Sequence, residues 1–163
     1  MIILSIDVGI RNLAYVILQK NITDEKSHNI LKWETIELLE KDKKVANCNN
    51  HELGANMIEL FDNALAEFNF DRIVIENQIG KNAIKMKTIQ GMISMYFLMK
   101  GYAYENIVAY NATHKLKYWL KNKKTKYDER KKLSKQIVSQ LCKEYYNDEL
   151  NVLSVSYTHL TLP

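Results

Sequence analysis

Two carboxylates hold the positions in this 163-residue chain that are best placed for chemistry. Asp7 closes the apolar run Ile2 to Ile6, and Glu76 closes Ile73-Val74-Ile75, where an unpaired charge would cost several kcal/mol. Asp7 alone reads more readily as a turn residue, since Gly9 follows within two positions. Side by side, the two carboxylates would repel and raise each other's pKa unless a cation sat between them, and an oxygen-ligated Mg²⁺ is the natural occupant. Gly9 fits both readings, because it lets the chain leave the strand and leaves room for a ligand near the backbone.

A second feature is electrostatic. The formal charge of +4 divides into −2 over residues 1–114, +8 over residues 115–135 and −2 thereafter. The basic block comprises Lys115, Lys117, Lys121, Lys123, Lys124, Lys126, Arg130, Lys131, Lys132 and Lys135, with Tyr118, Trp119 and Tyr127 among them. Such a block serves as a solvated face or as a phosphate-binding surface, and the interleaved rings favour nucleic acid, because they can stack on bases or sugars.

The elements that must position these groups follow from periodicity. Ile2 to Ile6 and Leu13 to Leu18 read as strands joined by a turn, and Ile30 to Leu38 as a third antiparallel strand. His51 to Phe70 carries Leu53, Met57, Leu60, Phe61, Ala64, Leu65 and Phe68 at helical spacing. Arg72 to Glu76 is a buried strand, Asn82 to Lys100 a second helix with Met86, Ile89, Ile93, Tyr96 and Phe97 on one stripe, and Ile107 to Tyr110 a last strand before further helices. Right-handed crossovers and sequential neighbours then give an α/β fold with a mixed sheet ordered 3-2-1-4-5 and helices on both faces. In that sheet Asp7 and Glu76 end adjacent parallel strands, about 5 Å apart across one strand spacing, at the point where the chain reverses direction.

Three phrases carry a resemblance. Ser5-Ile6-Asp7-Val8-Gly9-Ile10-Arg11-Asn12-Leu13-Ala14, then Ile75-Glu76-Asn77-Gln78, then Lys85-Met86-Lys87-Thr88-Ile89-Gln90-Gly91-Met92, resemble the poxvirus and mitochondrial type of Holliday junction resolvase, the RuvC-like branch of the ribonuclease H superfamily, in wording nearest to versions carried by large DNA viruses. The resemblance spans about residues 2–146, since Asp128-Glu129-Arg130-Lys131-Lys132-Leu133-Ser134 also matches the basic start of a late helix. It implies a ribonuclease H-like domain over residues 1–150 and a Mg²⁺-dependent, structure-selective endonuclease. Such an enzyme acts as a homodimer on four-way junctions in DNA recombination and repair, with two Mg²⁺ per site and Mn²⁺ as an alternative. By position, Asp7 and Glu76 would be metal ligands, and Lys115 or Lys117 would approach the scissile phosphate. Gln78 would orient a ligand or substrate, and Lys85, Lys87, Lys121, Lys123, Lys124, Arg130, Lys131, Lys132 and Lys135 would hold DNA. Gly91, in mid-helix, implies a close approach by a second protomer's helix or by the sheet beneath. Met86, Met92, Met95 and Met99 read as core or interface filler.

The sequence also departs from that pattern. A complete site would carry two further carboxylates in a phrase like Lys-Asp-Asp-x-x-Asp, whereas Asp148 and Glu149 lack the spacing and residues 151–163 contain no charged residue. The stretch 151–163 is therefore expected to be a non-native tail on a chain without its last catalytic helix. The alternative function is a catalytically incomplete junction- or DNA-binding module. A sugar-kinase or actin-like ATPase fragment would share the opening strand and D-x-G, but needs a second domain and another phosphate loop, which this short chain with five Gly does not supply. Cys48 and Cys142 form no zinc or disulfide pattern, and His114 reads as a surface or capping residue. Neither a signal peptide nor a membrane-length apolar stretch is visible, so an intracellular site, cytoplasmic or at viral replication, is expected, with no membrane partner and no small-molecule cofactor.

Overall fold

The computed structural model describes residues 1–21, 23, 28–79, 83–111, 114, 116–120 and 126–145, giving backbone alone at 117, 118, 127 and 142–145. Strands β1 (Ile2–Asp7), β2 (Leu13–Lys20), β3 (His28–Ile36), β4 (Arg72–Asn77) and β5 (Ile107–Asn111) form one sheet in the order β3-β2-β1-β4-β5. β2 pairs antiparallel with β1 and β3, while β4 runs parallel to β1 and β5. The topology is the one the sequence implies.

Helices cover both faces because the central strands are apolar on both. Leu4, Ile6, Tyr15, Ile17, Ile73 and Ile75 face helices α1 (Asn50–Leu65) and α2 (Ile84–Met99), which contribute Leu53, Met57, Phe61, Ile89, Ile93 and Phe97 to the same buried cluster. The spacing of four residues between Leu53, Met57 and Phe61 puts them on one helical stripe. On the opposite face Ala14, Val16 and Trp33 pack against Val138 of α4 (Tyr127–Tyr145). A short helix, α3 (Lys117–Leu120), precedes α4.

Local chemistry sets the helix ends. The Asn49 side chain caps α1 by accepting the His51 N–H at 2.9 Å. The helix expected to reach Phe70 stops at Leu65: Phe68 and Phe70 lie beyond it, in the link to β4, with their rings stacked at 6.1 Å. The three-residue step from Leu65 to Phe68 imitates one more helical turn, but both rings pack on the core from the connection. The Asp71 carboxylate then accepts the Ile2 N–H at 2.6 Å and ties the entries of β4 and β1 together. Gly91 corrects another expectation, since a Cβ added there meets no atom within 4 Å, so the sheet beneath does not approach it.

Several expected features lie outside the described residues: Lys115, Lys121, Lys123, Lys124, the helix start at Asn82, Asp148, Glu149 and the tail 151–163, together with the side chains of Lys117, Tyr118, Tyr127 and Cys142. Among the described residues no helix is long and apolar enough to cross a membrane.

Candidate active site

The β1–β4 register pairs Ile3 with Arg72, Leu4 with Ile73, Ser5 with Val74 and Ile6 with Ile75. Asp7 and Glu76 are the next residues of the two strands. Because side chains alternate across a sheet, both carboxylates lie on the face of Ser5 and Val74, the face on which α4 packs farther along, over β2 and β3. Both are half-buried. Ser5 Oγ, two residues before Asp7 on this face, is buried and finds no hydrogen-bond partner among the described residues.

The exit of β1 is built tightly. A methyl group on Gly9 would stand 2.2 Å from the Asn12 carbonyl oxygen, so the turn after Asp7 closes only with glycine there. Arg11, in the same turn, donates to the carbonyls of Leu39 at 3.1 Å and Glu40 at 2.5 Å, and also to that of Lys43. The Leu38 N–H adds a backbone bond to the Ile10 carbonyl at 2.9 Å. From the start of α2, the Lys85 ammonium holds the other side of the same β3–α1 loop through the carbonyls of Val45, Ala46 and Cys48, at 2.5, 3.2 and 3.2 Å.

An amide network closes the exit of β4. The Gln78 N–H donates to Gln90 Oε1 at 2.9 Å, Gln90 Nε2 donates to Asn77 Oδ1 at 3.4 Å, and Gln78 Nε2 donates to Glu76 Oε2 at 3.4 Å. Gln78 therefore touches the carboxylate it follows. Lys87 is exposed on α2, and Arg130, Lys132 and Lys135 are exposed along α4, with Lys131 half-buried; Ser134, Ile137 and Val138 face inward. Asp128 and Glu129, the acidic pair within the basic block, lie in the first turn of α4, where the Glu129 carboxylate accepts the Lys126 N–H at 2.9 Å. His114 is exposed, its ring edge-on to Tyr110.

A model of the family described as mitochondrial resolvase Ydc2 / RNA splicing MRS1 matches residues 3–160. The chain belongs to this family. Among solved structures it is similar to the fowlpox virus resolvase in complex with substrate Holliday junction DNA, with 24% identity and a TM-score of 0.60 over 97% of each chain. It is also similar to the yeast mitochondrial Holliday junction resolvase Ydc2, with 16% identity and a TM-score of 0.64 over 97% of this chain and 71% of that one. A third likeness is to RuvC of T. thermophilus in complex with a Holliday junction substrate, with 15% identity and a TM-score of 0.59 over 84% and 79% of the two chains. These neighbours share the ribonuclease H-like fold that the sequence resemblance implied. No curated protein sequence matches the chain.

In the frame of the resolvase family, the donor set at the carboxyl ends of β1 and β4 fits a hard divalent cation. Mg²⁺ is commonly held by one or two protein carboxylates, with water and substrate phosphates completing its shell. Among the described residues no three His, Cys, Asp or Glu side chains gather, so the described part of the site offers Asp7 and Glu76. Sequence reasoning missed the roles of Arg11, Lys85 and Gln90. Gln90 left one signal, a polar amide beside the buried Ile89.

Proposed function

We propose that this member of the resolvase family is a structure-selective endonuclease that resolves four-way DNA junctions by Mg²⁺-dependent phosphodiester hydrolysis, as a homodimer. The observation that carries the reading is the parallel β1–β4 register, which runs to Ile6 and Ile75 and leaves Asp7 and Glu76 as the next residues of the two strands, on one face. A divalent cation held there supplies charge stabilisation at the phosphate and a more acidic water. Asp7 and Glu76 hold the cation by their carboxylate oxygens, and Gln78 fixes the direction of Glu76 through its side-chain amide. Lys87, Arg130, Lys131, Lys132 and Lys135, with Lys121, Lys123 and Lys124, contact the phosphate backbone, which gives affinity and position rather than sequence information. Lys115 or Lys117 stabilises charge at the scissile phosphate. Lys85 is left out of the DNA-contacting set, because its ammonium is already committed to three loop carbonyls.

The second copy docks on α2. Ile84, Met95, Leu98 and Met99 are exposed at 72, 56, 41 and 82%, and with Gly91 they form one stripe opposite the buried Ile89 and Ile93. A two-fold contact through this stripe suits a substrate that needs two symmetric cuts, and the open space at Gly91 admits a close helix approach.

Asp7→Asn and Glu76→Gln test the metal site. Each should lower cleavage by more than the roughly 10–100-fold typical of removing a ligand's supporting partner, while junction binding in a gel-shift assay holds or improves at low salt because negative charge is lost near the phosphates. A folded variant that no longer binds the junction would contradict the assignment. The two-carboxylate donor set favours one further reading, a binding module without catalysis, which selective junction binding without cutting by the wild-type chain would establish.

A further inference from the structure

We infer that Gln90 is a positioning residue for the candidate metal site, its side-chain amide clamping the exit of β4 so that Glu76 meets Asp7 across the strand pair; this rests on the reading of Asp7 and Glu76 as metal ligands. Gln78 is the first residue beyond β4, so its backbone N–H has left the sheet ladder and needs another partner. Gln90 Oε1 supplies that partner at 2.9 Å. An N–H can meet only the oxygen end of the amide, so the nitrogen end turns toward Asn77 Oδ1, 3.4 Å away. Both ends of one side chain thus hold consecutive residues, and the second of these, Gln78, passes the constraint to Glu76 Oε2 through its own amide.

The anchor itself is rigid. Ile89 and Ile93, on either side of Gln90, are fully buried in the main core, which fixes the rotation of α2 and the origin of the Gln90 side chain. A carboxylate on a strand terminus would otherwise follow the fraying of that terminus, and metal affinity depends on ligands being held before the ion arrives. The Gln90 amide reaches Gln78 and Asn77. It acts through Gln78.

The test uses the full ¹⁵N-labelled chain with Mn²⁺ as the probe, free Mn²⁺ being counted by electron paramagnetic resonance and amide exchange followed at Gln78. In the wild type the Gln78 amide should exchange slowly; rapid exchange there would overturn the clamp without any variant. Gln90→Leu should speed exchange at Gln78, leave it unchanged at Leu4 and Ile73, and weaken Mn²⁺ binding by about 10–100-fold. Gln90→Glu keeps the acceptor for the Gln78 N–H and should restore slow exchange there. A folded Gln90→Leu chain that binds Mn²⁺ like wild type would overturn the inference. Mn²⁺ binding that Asp7→Asn does not weaken would instead overturn the metal-site reading itself, and this inference with it.

Discussion

Gly9 lies two residues after Asp7, and an added Cβ would stand 2.2 Å from backbone rather than from a movable side chain. Gly9→Ala must therefore shift the turn that carries Arg11, at a cost of about 1–3 kcal/mol by analogy with overpacked sites. Urea unfolding would measure this, and an unchanged midpoint would show that the turn adjusts freely. The two carboxylates were legible in the sequence because each ends a short apolar run, where a charge needs a reason. Gln78 was legible as a neighbour of Glu76, but the partner of its backbone was not. Gln90 is 12 positions away, Arg11 reaches carbonyls 28 to 32 positions on, and Lys85 grips backbone about 40 positions earlier. Backbone acceptors carry no residue type, so a sequence pattern cannot display such contacts.

At the scale of elements, α1 and α2 are joined by more than apolar packing. The Tyr96 hydroxyl donates to Asp62 Oδ1 at 2.7 Å, and the Lys100 ammonium meets the same oxygen at 2.7 Å. Lys100 first, and Tyr96 second, hold the Asp62 carboxyl below the usual carboxylate range, while burial and then Asp62 push the Tyr96 phenol up. The folded state therefore binds the Asp62 proton less tightly than the unfolded chain does. The link contributes stability above the unfolded value, about pH 4, and loses it as pH falls through the folded value. Thermal melts should show the gap between wild type and Asp62→Asn narrowing as pH drops below about 4; a gap that stays constant across this range would contradict the link. Helices α1 and α2 were readable from periodicity, because their apolar stripes match the observed core. The end of α1 was not, since Phe68 keeps a helical spacing from Leu65 while packing from the connection.

For the whole molecule, the sheet order followed from right-handed crossovers and sequential neighbours, and it sets the strands of Asp7 and Glu76 side by side although the two residues are 69 positions apart. The proposed dimer leaves a weaker trace in sequence. Met95 and Met99 look like the core methionines Met86 and Met92 until burial separates them: the latter pair packs on the core and the former lies outside it. Met95→Glu should weaken self-association by about 100-fold in sedimentation experiments, since like charges brought together across a two-fold contact cost several kcal/mol. A variant that remains dimeric would place the interface elsewhere.

The most direct test of the central claim is a gel assay of the chain with an end-labelled four-way DNA junction and a matched linear duplex, each with Mg²⁺ and with chelator. The account predicts paired, symmetric nicks in the junction that require Mg²⁺ and vanish with chelator, while the duplex stays intact. Equal treatment of junction and duplex, in binding as well as cutting, would contradict it.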